Sequence, residues 1–228
     1  MSVARMRTLI ASATLALITV GLVTMAASPA LAQDPPPKIP LFAIDLHAAV
    51  PMFPSDDPAL AASRGMQLGE LPGSGFGAHA ALTMYPLRWK AITFGVGGEV
   101  TVSRARKTPP ADQSNAAIVL RSSEERFVAA SPQLSFNFGT GNGWSYLSGG
   151  VGYANWSVVP QGQAGFPPDE ERLKTINYGG GARWFMKSHL AFSFDFRIYA
   201  ISPSSPVFGF PSGPRTNLKV ISAGVSLK

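Results

Sequence analysis

The chain has 228 residues, 23 of them glycine and 20 proline, with 19 Lys and Arg against 13 Asp and Glu for a formal net charge of +6. It contains no cysteine, which excludes disulfides, a cysteine-linked lipid anchor and thiolate metal sites. The mild basic excess favours anionic surfaces such as lipid headgroups without singling out a partner, and nothing in the chain suggests nucleic-acid binding.

The N-terminus carries Arg5 and Arg7, an apolar run over about 9–25, and small residues ending in Ala30-Leu31-Ala32. That order predicts a secretory signal peptide over 1–32, cut after Ala32; an uncleaved membrane anchor is the alternative reading. Removing it leaves roughly 200 residues, enough for one domain or one closed barrel. Residues 33–40, QDPPPKIP, form a proline-rich extended segment. The domain proper is expected over 41–228.

No long helical apolar pattern follows, and period-two alternation predicts eight strands: 41–50, 75–86, 91–103, 127–138, 144–156, 174–185, 189–200 and 217–227. Each is about ten residues or longer, which exceeds the usual soluble strand and suits a tilted strand crossing a bilayer. Three connections are short, at 87–90, 139–143 and 186–189. Four are long, at about 51–74, 104–126, 157–173 and 201–216. Long and short alternate along the chain, as in an antiparallel up-and-down transmembrane barrel with short periplasmic turns and longer extracellular loops. Prolines gather in the long connections; Pro132 alone conflicts with a strand, and a bulge or an early strand end is expected there.

Splitting each strand by parity gives one face with Phe42, Ile44, Leu46, Phe94, Val96, Leu134, Phe136, Phe192, Phe194 and Phe196, and no charge away from the strand ends. The opposite face is polar and small. This assigns apolar side chains to lipid and polar ones to a filled lumen; a soluble lipocalin-like carrier would show the reverse. In the lumen, Asp45, Glu99 and Asp195 meet Arg183 and Arg197, with His47 and His79 near, as an ion-paired network that plugs the barrel. A proton or ion path is the sharper alternative. Trp89, Trp144, Trp156, Trp184 and Tyr199 are expected as interface aromatics in two belts at the membrane-water boundary.

No catalytic, cofactor or metal constellation stands out, and the chain reads as a non-enzyme. For a barrel enzyme on envelope lipids the candidate pair is His189 and Ser193, which lie about 13 Å apart along an extended strand. The acids of the long connections (Asp56, Asp57, Glu70, Asp112, Glu124, Glu125, Asp169, Glu170, Glu171) and bases such as Arg64, Arg104, Arg106, Lys107, Arg121 and Arg172 read as solvated surface or as a recognition surface for an external partner.

The run YGGGARWFMKSHLAFSFDFRIYAIS at 178–202, a glycine-rich strand, a tight turn, and alternating F-x-F-D-F-R-x-Y, resembles the small eight-stranded outer-membrane β-barrels, the family of the outer-membrane protein A transmembrane domain. The resemblance covers nearly the whole chain after the signal. It implies an ion-paired closed barrel in the cell outer membrane, contact with outer-membrane lipids, insertion by the barrel-assembly machinery, surface loops, and roles in envelope integrity or adhesion. Such barrels usually end in an aromatic residue, whereas this sequence ends Ser226-Leu227-Lys228; no wall-binding domain is expected after the eighth strand.

Overall fold

The computed structural model describes residues 37–110, 119–161, 171–206 and 209–228. The expected signal peptide 1–32, the first half of the proline-rich segment, and Asp112, Asp169 and Glu170 lie outside the described residues.

Eight antiparallel strands form a closed barrel in chain order: β1 (Phe42–Met52), β2 (Phe76–Trp89), β3 (Ile92–Lys107), β4 (Ser123–Thr140), β5 (Gly143–Pro160), β6 (Leu173–Phe185), β7 (Leu190–Ile201) and β8 (Thr216–Leu227). Closure is made by β1 against β8, with Asp45 opposite Ser226 and Ala49 opposite Ser222. Closure leaves neither β1 nor β8 as an open sheet edge, since each strand is paired with a neighbour on either side of the barrel. The three tight connections lie at one end, and the four long ones at the other.

Parity sorts the side chains. Leu46, Leu82, Val96, Leu134, Phe136, Leu147, Ile176 and Phe192 are outward and exposed, whereas Asp45, His47, His79, Glu99, Arg183, Asp195 and Arg197 are inward and buried. On β3 the outward apolar series runs from Ile92 through Phe94, Val96 and Val100 to Val102. Ten steps of about 3.3 Å, tilted about 40°, span roughly 25 Å along the barrel axis.

Three expectations need correction. First, the strands run further toward the long loops than the apolar pattern indicates: β3 continues to Lys107, β4 begins at Ser123 and β5 reaches Pro160. Arg104, Arg106, Glu124 and Glu125 therefore sit in strands, because cross-strand charge pairs sustain the ladder past the last apolar row. Second, Pro51, Pro86 and Pro160 also lie in strands. Third, Pro132 neither bulges β4 nor ends it. The β4–β5 pairing skips Ser131 and Pro132 and resumes in the same register, Ala130 opposite Tyr153 and Gln133 opposite Gly150. The neighbouring strands hold enough bonds to keep the line straight while a residue without N–H interrupts one ladder. The register shift falls elsewhere, between Met84 and Leu87 of β2, around Pro86.

The first long loop is not a solvated arm. It carries α1 (Pro58–Ser63), whose N-terminus is capped by Asp57 accepting from Ala59 N at 2.9 Å and Leu60 N at 3.1 Å, then a 3-10 turn at Leu68–Glu70. Phe53, Leu60, Met66 and Leu71 are buried with Phe127, Trp156, Val158, Tyr199 and Leu218 in one apolar cluster at the long-loop end. An apolar face this dense folds back over the barrel mouth because exposure of those side chains would cost about 1.5–3 kcal/mol each.

Candidate functional site

Three layers of inward side chains fill the barrel. Near the short-turn end, Arg183 on β6 meets Asp45 on β1 through a two-pronged contact, Nε donating to Oδ1 at 2.8 Å and Nη2 to Oδ2 at 2.5 Å. Ser226 donates to the same carboxylate and Arg183 lies 4.1 Å from the centre of the Tyr146 ring. Below them Tyr85 and Trp144 are buried edge to face, with Ile39 packed on the cluster, so the segment 37–40 covers this end. Gly141 N donates to Pro37 O at 2.5 Å and pins it.

The middle layer centres on Arg197. Its Nε and Nη2 donate to Asp195 at 3.2 and 3.1 Å, its Nη1 to Gln133 and Asn177 at 3.2 Å each, and its Nη2 to Ser148 at 2.9 Å. Nε also lies 2.9 Å from Glu99 Oε2 at an angle that makes an ion pair rather than a hydrogen bond. Tyr199 donates to Glu99 at 3.0 Å and shares a bond of 2.7 Å with Thr101, which in turn meets His79 at 2.9 Å. His47 reaches Ser193 at 2.7 Å and Ser222 at 3.1 Å, and its ring centre is 5.7 Å from that of His79. All seven charged or imidazole side chains expected in the lumen are therefore placed there and joined, two aspartates and a glutamate against two arginines. A long charged side chain in so narrow a space is tolerable only when paired, and each has an opposite charge or hydrogen-bonding group in contact, although Arg183 Nη1 and Glu99 Oε2 make no hydrogen bond.

The upper layer was not legible as such. Trp156 Nε1 donates to Glu125 at 2.6 Å, both buried, beneath the loop cluster. Glu70 then ties the loop to the next one: it accepts from Arg121 N at 2.8 Å, Arg121 Nε at 2.9 Å, Arg121 Nη2 at 3.0 Å and Gln67 N at 2.9 Å. Hydrogen bonds from the Arg121 guanidinium hold the Glu70 carboxyl down at about 2, helped by the two backbone N–H groups and opposed by burial.

The belt of aromatics is half corrected. Trp89 and Trp184 are outward, 60% and 51% exposed, at the short-turn end. Trp144, Trp156 and Tyr199 are inward and almost wholly buried, at 3%, 3% and 0%. The reason is parity: 144 and 156 share the face of Ser148 on β5, and 199 shares that of Asp195 and Arg197 on β7. Tyr146, which donates to Asp195 at 2.9 Å, was missed although the same alternation points it inward.

Chemically the interior offers little. A cavity among Asp45, His79, Glu99, Arg183 and Arg197 measures about 20 Å³, room for about one water. His189 sits exposed at a tight turn while Ser193 is sealed inside, so that pair does not meet. Ser193 does touch His47, but the second ring nitrogen of His47 goes to Ser222 rather than to an orienting carboxylate, and both Ser193 and His47 are buried. Among the described residues no group of side chains could hold a metal ion.

Two solved structures share this architecture. The crystal structure of Neisserial surface protein A (NspA) is 15% identical with a TM-score of 0.53, the match covering 82% of this chain and 96% of that one. The fold of this chain is that of a small outer-membrane β-barrel. Outer membrane protein OprG from Pseudomonas aeruginosa matches at 12% identity and a TM-score of 0.50, covering 84% of this chain and 97% of that one. No family model matches the sequence, and no curated protein matches it. At such identity the likeness carries the eight-stranded fold and nothing about individual side chains.

Proposed function

We propose that the chain is a non-enzymatic integral protein of the outer membrane, exported by a cleaved signal over 1–32, with a lumen plugged by the Asp45–Arg183 and Arg197 networks and with its short turns in the periplasm. The observation that carries this reading is the outward apolar band of roughly 25 Å, the height of the hydrocarbon-facing belt of such barrels. An arginine or lysine at the middle of that face would cost about 2–4 kcal/mol, which accounts for its apolar composition. The long-loop end, capped by the folded first loop, then faces outside as a compact surface for an external partner; NspA, whose name calls it a surface protein, fits the same use of the fold. The space among the lumen side chains at Asp45, His79, Glu99, Arg183 and Arg197 holds only about 20 Å³, which favours an envelope or recognition role over transport.

Fractionation tests it. The protein should remain in the outer-membrane fraction through urea and carbonate washes, migrate faster on a gel unless boiled, and give no conductance in a planar bilayer. Full release into the soluble fraction without detergent would overturn the membrane placement; steady ion conductance would overturn the plug.

A further inference from the structure

Just beyond the last apolar row, the outward face carries more positive charge than the pairing of β3 with β4 uses. Val102 on β3 faces Val128 on β4, and the next outward pair is Arg104 opposite Arg126, followed by Arg106 opposite Glu124. Like charges set directly across a ladder are destabilising. Here three guanidinium groups converge on one carboxylate: Arg106 Nε donates to Glu124 at 3.1 Å, and Arg104 and Arg126 make shorter contacts with the same group. The arginine side chains are 46%, 55% and 66% exposed while Glu124 is 6% exposed. Each arginine spends one nitrogen on Glu124, so the cluster keeps a net charge of +2 and a set of outward N–H donors.

We propose that Arg104, Arg106 and Arg126 form a binding site for a phosphomonoester-bearing lipid headgroup of the outer leaflet, the phosphate supplying the negative charge that Glu124 leaves uncompensated. The inference rests on the membrane placement above. The height is right, because the cluster begins one outward step, about 7 Å along the strand, past the apolar band, where headgroups replace hydrocarbon. Arginine's planar fork suits a phosphate bidentately. The apolar surroundings favour a lipid over a free anion: Phe76, opposite Arg104 on β2, is exposed, and Val100, Val102 and Val128 continue the same face downward, giving an acyl chain a track beneath the charged group. A shallow cleft of about 420 Å³ runs along Phe76, Arg104 and Arg106.

The test uses the full mature chain in neutral detergent micelles, titrated with a bisphosphorylated glucosamine-disaccharide lipid and, separately, with its dephosphorylated form, binding being counted by native mass spectrometry. The wild type should bind the phosphorylated lipid at least tenfold more tightly, and the double substitution Arg104→Gln, Arg126→Gln should weaken it about tenfold or more. Glu124→Gln should instead tighten binding, an effect no merely structural role produces and one that decides the matter if the double variant does not fold by the gel shift. Arg88→Gln, at the opposite rim, should change nothing. Equal binding of both lipids, undiminished binding by a folded double variant, or weaker binding by Glu124→Gln would overturn the site. Displacement of the lipid by millimolar inorganic phosphate would likewise overturn it, reducing the cluster to a general anion patch. Because binding is read on purified protein in micelles, failure of the membrane placement would show in the fractionation and not here.

Discussion

Removing one partner of the Asp45–Arg183 pair is the sharpest test of how the lumen is held. Both side chains are 2% exposed, two donor-acceptor contacts of 2.8 and 2.5 Å join them, and Ser226 completes the carboxylate. With the charge centres about 4 Å apart and an effective dielectric constant near 20, their attraction is about 4 kcal/mol. Desolvation offsets much of that in the intact protein, so the pair adds little net stability; an orphaned buried charge has no such compensation and costs about 3–5 kcal/mol. Arg183→Gln is expected to fall in that range, since it also strips the cation from the Tyr146 ring, and Asp45→Asn should cost about 3 kcal/mol for leaving Arg183 unpaired. The double variant, with two neutral amides in hydrogen-bonding reach, should cost no more than either single change, giving a coupling of at least about 2–3 kcal/mol. Urea unfolding of the barrel in lipid vesicles, followed by tryptophan fluorescence, measures all four corners of the cycle. Single changes of under about 1 kcal/mol, or costs that add to within about 0.5 kcal/mol, would refute the pairing as the element that holds this layer.

Two further outcomes follow from the cap and the seam. The Glu70 carboxyl is held at about 2, below its usual value of 4.5, so its contribution is present above about pH 4.5 and is lost as pH falls through 2. A shift of that size corresponds to about 3 kcal/mol, reduced to about 1–2 because Arg121 is nearly half exposed. Glu70→Gln should therefore loosen the loop at neutral pH, seen as faster trypsin cleavage after Arg121, while in the wild type pepsin should open the same region only between about pH 4 and 2; cleavage unaffected by the substitution would remove the clasp. At the closing seam, a Cβ on Gly224 would meet Leu46 O at 2.2 Å and His47 Cα at 2.7 Å, backbone on both counts. Gly224→Ala should sharply reduce the fraction of heat-modifiable barrel on refolding into vesicles, and refolding at the wild-type yield would contradict the tightness of the β1–β8 contact.

The faces of the strands were determined by the sequence alone, because side chains alternate with an exact period of two and a lipid-exposed face admits no charge: Leu46, Phe94 and Phe136 could only lie opposite Asp45, Thr93 and Asn137. The strand count and the alternation of short and long connections came from the same pattern. Trp144, Trp156 and Tyr199 obey the same alternation and point inward rather than joining an aromatic belt at the membrane boundary. Tertiary structure decided what period two cannot encode. Which arginine meets which acid depends on closure, since Arg183 and Asp45 are 138 residues apart and share a layer only once β8 joins β1. The strand ends near Arg104 and Glu124 depend on partners across the ladder rather than on hydrophobicity. The first loop, polar enough to read as solvated, is folded because Leu60 and Leu71 find Phe127, Trp156 and Tyr199 at the mouth, a contact surface that exists only in the assembled barrel.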